Sequence, residues 1–478
     1  MPLSASRLRP WARAHAPELA AFAVGVLLRL SMALTYDARI GYDFVAHWPT
    51  IQWFADRHEM PPFDLNTATA HPPLYYVIAA ALVSTGLGPG ALGWLAALWG
   101  IARLAIVWAA LERWLPESRL ARIVALATAA VLPTSVHLEG MITNEVLGML
   151  LAAIVILRAP AAVQAARAGR VAPVVGLSFV LALALLTKLT ATVLVISVAV
   201  AIALEIARAP SRVAALRVRL RPLLAGALVL VAVSGWYFAR NKALVGQFAP
   251  TAYDGFQKPV QAESEKIPYF ERRPVGFYLG WSLGMYVRPF FPVGLRPDPR
   301  FFPVLVATTF NDYYVFSYSG GGKYNQERWV SGVGVAFGCM SVVAGTGIAL
   351  VTVIAWFGAV RALWRRRDDG EPDPRFVLLL MPLGALLAQL HFATKYPNDN
   401  FGPIKGAYLQ FAAPVMCALF GLGVDWMWRR RARWRWRLPA LAGMAAVVFV
   451  AAYSVHARFP RFGADANTAA PFFLAGWK

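Results

Sequence analysis

The chain has 478 residues, of which 58% are hydrophobic and only 15% are charged, and its formal net charge is +21. Soluble domains average about 45–50% apolar and about 25% charged residues. This composition excludes a soluble enzyme with one anchor, a disordered scaffold and a disulfide-framework protein. The basic charge alone would suggest nucleic acid, but arginine gathers in short stretches between apolar runs, as membrane orientation requires. We therefore predict an all-α polytopic membrane protein that binds no nucleic acid.

Eleven apolar stretches approach the length of about 20 residues that a helix needs to cross a bilayer. In chain order they are 17–36, 92–111, 121–136, 145–163, 171–187, 189–207, 222–240, 331–360, 375–393, 404–427 and 438–456. A further stretch, 72–90, has an apolar core of only 10 residues, LYYVIAAALV. That length is typical of an interfacial or re-entrant segment rather than a span.

The positive-inside rule sets the orientation of these helices. With the N-terminus inside and 72–90 not spanning, the short inside segments carry 24 Lys and Arg residues and the short outside segments carry 5. Counting 72–90 as a span would place the basic clusters outside. We therefore expect one transmembrane domain, 1–478, with a first exterior loop at 37–91 that contains juxtamembrane helices. A second, long exterior loop is expected at 239–331, and function at the exterior face.

In the first exterior loop, apolar residues recur at helical spacing from Phe44 to Phe54, which predicts an amphipathic helix on the membrane surface. Asp43 and His47 are four residues apart and share one face of that helix. Asp43 is either the N-cap of the helix or an acid–base group, and His47 is either an interfacial residue or a ligand. His71, in AHPPLYY, either contacts a phosphate or metal or merely begins a helix near the lipid headgroups.

Glu139 and Glu145 lie at the outer ends of the third and fourth predicted spans, 121–136 and 145–163. A negative charge in the first turn of a helix is favoured by the helix dipole, which would by itself explain Glu145. The functional alternative is a second carboxylate that faces Asp43 across an exterior cavity. Lys188, in LLTKLTA, lies between two spans at the outer surface, where it suits a lipid phosphate or a snorkelling position.

Three arginines complete the set of candidate residues. Arg240 leaves its span at the same outer level, next to Asn241. Arg29 and Arg103 lie inside predicted spans, where ionisable residues usually face a cavity or a partner. The residue patterns do not decide whether these two arginines are structural.

An acidic residue followed by A-H-W just beyond the first helix resembles the C-type (GT-C) membrane glycosyltransferases. Within that superfamily the sequence resembles bacterial proteins of the family 39 type that use polyprenyl-phosphate sugars, relatives of protein O-mannosyltransferases and of the lipid A aminoarabinose transferase. The resemblance runs from about residue 17 to 427. The supporting stretches are YDFVAHW at 42–48, HPPLYY at 71–76, TNE at 143–145, TKLT at 187–190, WYFARN at 236–241, FNDYY at 310–314 and KGAYLQFAAPV at 405–415.

The resemblance implies a GT-C fold and a role for several residues. Asp43 takes the position of the catalytic base or acceptor-orienting acid, and Glu145, preceded by Asn144, takes that of the second acidic motif. Lys188 falls in the donor-phosphate region. Many members have a second acid directly after the first, whereas this chain has Phe44 there, so any role of that acid is missing or moved.

The remaining substrate-binding candidates are less directly placed. Asp312 falls in a recurrent stretch of the long loop without an assigned role. The expected substrate-binding residues are His47, His71, Asn144, Lys188, Arg240 and Asp312. Use of a divalent metal ion stays open. Asp43, His47 and Glu145 are the residues that would hold one, although other family members work without a catalytic metal.

The resemblance implies an inverting hexosyl- or pentosyltransferase of the bacterial inner membrane with its active site facing the periplasm. The donor would be a polyprenyl-phosphate-linked sugar, and the acceptor a hydroxyl of a lipid, a glycan or a protein. Two alternatives stay open: a transporter or flippase for lipid-linked glycans, and a polymerase or ligase that uses a diphosphate donor. The sequence shows no internal repeat, which argues against a transporter built from repeated halves.

Overall fold

The computed structural model of the chain describes residues 10, 13–41, 43–251, 265–287, 300–311, 332–365, 372–397 and 404–430. Within these ranges every regular element is a helix and no strand is present. The first eight α-helices are α1 Ala16–Thr35, α2 Phe44–Arg57, α3 Leu74–Val83, α4 Pro89–Trp114, α5 Arg119–Val131, α6 Pro133–Leu138, α7 Asn144–Arg167 and α8 Val171–Leu185. The next eight are α9 Thr192–Arg208, α10 Arg212–Val245, α11 Val275–Leu279, α12 Gly284–Val287, α13 Phe301–Phe310, α14 Gly332–Arg365, α15 Phe376–Lys395 and α16 Ala413–Arg430.

Seven helices in the described part of the chain are long and apolar enough to cross a membrane. They are α1, α4, α7, α9 together with the turn before it, α10, α14 and α15. The protein is therefore an all-α, multi-pass membrane protein. The expected total of eleven spans stays a prediction, since 438–456 lies outside the described residues and the predicted span 404–427 comprises a short 3₁₀ turn followed by α16.

Helix α3 is 10 residues long, about 15 Å at the rise of an α-helix, so the stretch 72–90 holds no helix of membrane-spanning length. The predicted single helix 121–136 is divided into α5 and α6 at Leu132 and Pro133. Proline has no amide hydrogen and its ring clashes with the preceding turn, so it ends α5 and begins α6.

Hydroxyl side chains cap two of the helices that frame the site. Ser118 Oγ accepts a hydrogen bond from the Ala121 amide at the start of α5 (3.1 Å), and Thr143 Oγ1 accepts one from the Glu145 amide at the start of α7 (3.3 Å). Such caps satisfy amides that have no partner within the helix. The cap at Thr143 fixes where α7 begins and therefore where Glu145 projects.

One end of the helical bundle is held by ion pairs between Arg119 and Glu18, Arg167 and Glu205, and Arg375 and Asp373. We call it the basic end. The opposite end, called the site end, contains the segment after α1, the start of α7, the turn between α8 and α9, and the segment before α16. Between the two ends, α5 packs against α1 and α16, and α8 packs against α7 and α10.

A buried carboxylate links α1, α4 and the chain directly after α6. Glu139, directly after α6, contacts Arg29 of α1 through Oε2 (2.7 Å) and Arg103 of α4 through Oε1 (2.6 Å). All three side chains are closed to solvent. We expected Glu139 at an outer helix end, and the structure instead places it between two helices. Because each arginine binds this carboxylate, the two intramembrane arginines are accounted for by packing within the bundle.

Candidate functional site

Asp43 lies at the site end, in the segment that joins α1 to α2. Its φ of 56° is in the left-handed region, which costs roughly 1–2 kcal/mol for most L-residues and somewhat less for Asp or Asn. Its carbonyl accepts the first hydrogen bonds of α2, from the amides of Ala46 and His47 (both 2.9 Å). Its carboxylate makes no capping hydrogen bond. The residue therefore begins the helix with its backbone and leaves its side chain exposed in the site.

Four basic side chains act on the Asp43 carboxylate: Lys405, His47, His71 and Lys188. Desolvation by the surrounding protein raises the pKa of Asp43, but the charges of these neighbours outweigh it and hold the pKa below the ordinary value of 3.8. Asp43 is consequently ionised at neutral pH. A carboxylate that is ionised and solvent-accessible, yet surrounded by protein and basic groups, is suited to accept a proton or a hydrogen bond from a substrate hydroxyl.

The two histidines stack on each other with ring centroids 5.9 Å apart. Burial lowers the pKa of His47 to about 4 and that of His71 to about 3, and the charge of Lys188 acts in the same direction. The Nδ1 atom of His47 and the hydroxyl of Tyr76 are 2.8 Å apart. With both imidazoles neutral at pH 7, they can hydrogen-bond a polar substrate without adding charge.

Lys188 projects from the turn between α8 and α9. Its Nζ forms an ion pair with Glu145 Oε1 and lies 5.4 Å from the ring centroid of Tyr408. Beside it, Asn144 donates from Nδ2 to the Thr187 carbonyl (3.2 Å), which ties the start of α7 to this turn. The structure thus brings Asn144, Glu145 and Lys188 together, with Lys188 also acting on Asp43.

Two predicted residues do not join this cluster. Arg240, on α10, donates to the Pro61 carbonyl at 3.5 Å, and it therefore borders the chain between α2 and α3. No interaction described here links it to Asp43. Asp312 lies outside the residues that the structure describes.

Lys405 and Tyr408 also belong to the site, although neither is among the residues predicted from the sequence. Tyr408 lies on the 3₁₀ turn Gly406–Leu409, and Lys405 directly precedes that turn. Helices α6 and α13 hold the turn in place. Thr134 donates to the carbonyls of Thr308 and Thr309, and the Gly406 amide donates to Thr308 Oγ1 (2.9 Å). The stretch 405–415 is one of those that carry the family resemblance, so the sequence does indicate that this region matters. Nothing in that stretch indicates that Lys405 lies near Asp43.

Among the residues with described positions, no group of three or more His, Cys, Asp or Glu side chains is placed to hold a metal ion. Of the three expected metal ligands, Asp43 and His47 are adjacent, whereas Glu145 is engaged by Lys188. An ammonium group beside a carboxylate opposes cation binding there by charge repulsion. The described residues therefore do not fit a metal centre.

No protein-family model matches the sequence, and no curated protein matches it. Solved structures do match: that of the Archaeoglobus fulgidus oligosaccharyltransferase tethered to an acceptor peptide is 12% identical, with a TM-score of 0.50, over 94% of this chain and 56% of that one. The same enzyme in complex with Zn and sulfate gives 12% identity and a TM-score of 0.51 over 93% and 53%. This chain spans little more than half the length of those structures. The likeness shows the expected GT-C fold.

Proposed function

We propose that this protein is a membrane glycosyltransferase of the family 39 type that moves one hexosyl or pentosyl group from a polyprenyl-phosphate donor to an acceptor hydroxyl. The observation that carries the proposal is the ionised Asp43 carboxylate, which makes no capping bond and is surrounded by two lysines and two neutral histidines. An anionic donor and a hydroxyl acceptor are the substrates that such a set of groups fits. The GT-C fold supports the same reaction class.

In the proposed reaction Asp43 is the general base. The acceptor oxygen forms a bond to the anomeric carbon while its proton passes to the Asp43 carboxylate. The bond between that carbon and the phosphate oxygen breaks, and its electron pair leaves with the lipid phosphate. A single displacement of this kind inverts the anomeric configuration.

Lys188 and Lys405 would hold the donor phosphate and stabilise the charge that grows on it, which is usually a large term in catalysis. Glu145 would orient Lys188 through their ion pair, and Asn144 would fix the turn that carries it. His47 and His71 would contact the sugar or the acceptor hydroxyl. Arg240 and Asp312 stay proposed substrate contacts. The acceptor, whether lipid, glycan or protein, is left open by these groups.

The main argument for a transporter, two arginines inside predicted spans, no longer holds. Arg29 and Arg103 had suggested a polar path through the membrane, but both bind Glu139 in a position closed to solvent. A polymerase or ligase is distinguished by its donor, since it would carry a polyprenyl diphosphate glycan. The identity of the bound lipid therefore tests the proposal against both alternatives.

The experiment compares lipids that co-purify with the wild type and with Asp43→Asn, using mass spectrometry and an assay of sugar transfer in detergent. Asparagine tolerates the left-handed backbone of position 43, so the variant is expected to fold. Removal of a general base typically costs about 10²- to 10⁴-fold in rate. We expect transfer to fall by that factor and a polyprenyl-phosphate monosaccharide to accumulate in the variant.

The matched control is Asp37→Asn, which alters a nearby exposed carboxylate that is paired with Arg39 (2.7 Å). Transfer by this variant should equal that of the wild type. Undiminished transfer by Asp43→Asn would remove Asp43 as the base. A diphosphate-linked oligosaccharide bound equally by both proteins would favour a polymerase, ligase or flippase.

A further inference from the structure

A row of exposed apolar side chains lies on the segment between α10 and α14 and has no part in the proposed reaction. Its members are Val275, Leu279, Leu283 and Val287, whose exposed fractions are 71%, 79%, 76% and 67%. Successive members are four residues apart. Phe270, just before the row, is 87% exposed. Soluble surfaces rarely present so many large apolar groups together, which marks the row as a contact surface.

Polar contacts fix the other side of this segment to two spans. The Tyr278 hydroxyl is 2.9 Å from Thr394 Oγ1 on α15, and the Tyr286 hydroxyl is 2.9 Å from Thr346 Oγ1 on α14. Arg273 Nε donates to the carbonyl of Ala393 (3.2 Å). The segment is thus held against the helices at defined heights.

The heights of these contacts follow from the positions of Thr346 along α14 and of Thr394 along α15. At the basic end, Trp364 of α14 and Phe376 of α15 pack ring against ring, with centroids 5.1 Å apart. Thr346 and Thr394 both lie 18 positions from that contact (346 to 364 and 376 to 394), which is about 27 Å along a helix. A hydrocarbon core is about 30 Å thick. Both tyrosines therefore contact the spans near the height where hydrocarbon meets the headgroups of the leaflet at the site end.

We propose that the segment from Val275 to Val287 is a monotopic membrane element, whose apolar row inserts into the acyl chains of the leaflet at the site end. Lipid is the occupant favoured by the height of the segment and by its neighbours, since α14 itself exposes apolar residues such as Leu350 and Ile354. Trp281, half exposed within the row, is a residue type enriched at the boundary between hydrocarbon and headgroups. The proposal stands independently of the proposed enzymatic function.

Insertion would also set the height of the candidate site. Tyr269, six residues before the first member of the row, contacts His391 of α15 (Oη to Nδ1 2.9 Å). The neighbouring Phe392 packs on Tyr408, with centroids 5.7 Å apart, and Tyr408 lies beneath Lys188. The inserted segment and the lysine that would hold a lipid phosphate are therefore joined by a short chain of contacts at headgroup height.

The test uses the full-length chain with Cys339→Ser, since Cys417 is buried and needs no replacement. Single cysteines at positions 279 and 283 carry a nitroxide label in vesicles of phosphatidylethanolamine and phosphatidylglycerol. Collision with oxygen, which enters lipid, is compared with collision with a polar nickel chelate, which stays in water. Position 228, a 70% exposed leucine on the span α10, is the lipid control, and position 271, an exposed glutamate, is the water control.

We expect the oxygen-to-nickel ratio at 279 and 283 to match that at 228 and to exceed that at 271 several-fold. A ratio equal to that at 271 would place the row in water and overturn the proposal. Low collision with both reagents would show that protein covers the row, either another part of the chain or a second copy, and would overturn it equally. The labels lie on exposed side chains, so the fold is expected to be retained.

Discussion

His47 and His71 lie beside Asp43. With ordinary pKa values, both would change charge over a moderate range of pH. Burial lowers these values to about 4 and about 3, so both rings stay neutral well below pH 6. Asp43 stays ionised over the same range because its pKa is held below 3.8. The site therefore keeps one charge state, an anionic base between neutral imidazoles, across physiological pH.

This arrangement predicts a loss of stability on acidification from pH 7.5 to 5. In the unfolded chain each histidine has a pKa near 6.5 and takes up a proton over this interval, whereas the folded chain does not. Acid therefore favours unfolding, by about 1–2 kcal/mol for each histidine. Asp43 contributes nothing here, because neither its folded nor its unfolded pKa is crossed.

The measurement is the thermal unfolding temperature in detergent at the two pH values, for the wild type and for His47→Asn. The variant lacks one of the histidines that the fold keeps neutral, so its unfolding temperature should fall less on acidification. An equal fall in both proteins would show that His47 is not held neutral by the fold.

At the scale of helices, the contact of Arg29 and Arg103 with Glu139 joins α1, α4 and the chain after α6. Glu139→Gln keeps the shape but removes the negative charge, which leaves two guanidinium groups in a site closed to solvent. Breaking one partner of a buried ion pair typically costs about 3–5 kcal/mol. We expect a large fall in unfolding temperature.

Asp37→Asn is again the matched control, because its pair with Arg39 is exposed and exposed pairs contribute about 0–1 kcal/mol. Similar small effects of the two substitutions would mean that the charge of Glu139 is not needed for packing of α1 against α4. Restoration by pairing Glu139→Gln with Arg103→Met would support the ionic explanation.

The approach of α16 to α5 depends on a glycine. A Cβ atom added to Gly421 would overlap the carbonyl oxygen of Ala121, which belongs to the backbone and cannot rotate away. We predict that Gly421→Ala destabilises the protein by about 1–3 kcal/mol, the usual cost of overpacking. Gly358→Ala, on the exposed face of α14 with nothing within 4 Å, should be neutral or slightly stabilising, since alanine favours helices. Equal unfolding temperatures for the two variants would contradict this close packing.

Over the whole molecule, hydropathy and spacing predicted much of what the structure shows. The apolar runs correspond to α1, α4, α7, α9, α10, α14 and α15, and the amphipathic pattern from Phe44 to Phe54 corresponds to α2. The break at Pro133 follows from the chemistry of proline, although hydropathy alone predicts one continuous helix there. The structure brings Asp43, His47, Glu145 and Lys188 together in one cluster, and their roles stay predictions.

What the sequence could not show is which distant side chains meet. Glu139 resembled any acid at the end of a helix, and only packing of α1 on α4 reveals that two arginines bind it. Lys405 was equally hidden, since its position depends on the hydrogen bonds of Thr134 and Gly406 to residues of α13. Hydropathy indicates whether a residue type is compatible with a membrane. It does not indicate which other residues will lie next to that residue in the folded protein.

The orientation of the molecule in the membrane is the remaining prediction, and it decides from which leaflet a lipid donor enters. The basic end contains Arg119, Arg167 and Arg375, and the site end contains Asp43. Lys and Arg in short loops are retained in the cytoplasm, so the site end should face the exterior. A cysteine at the exposed position 271 should react with a membrane-impermeant maleimide on intact cells, whereas one at position 365, an exposed residue at the basic end, should react only after the membrane is opened. The reverse pattern would place the site in the cytoplasm, where the donor would have to come from the inner leaflet, and it would remove the exterior reaction proposed for Asp43.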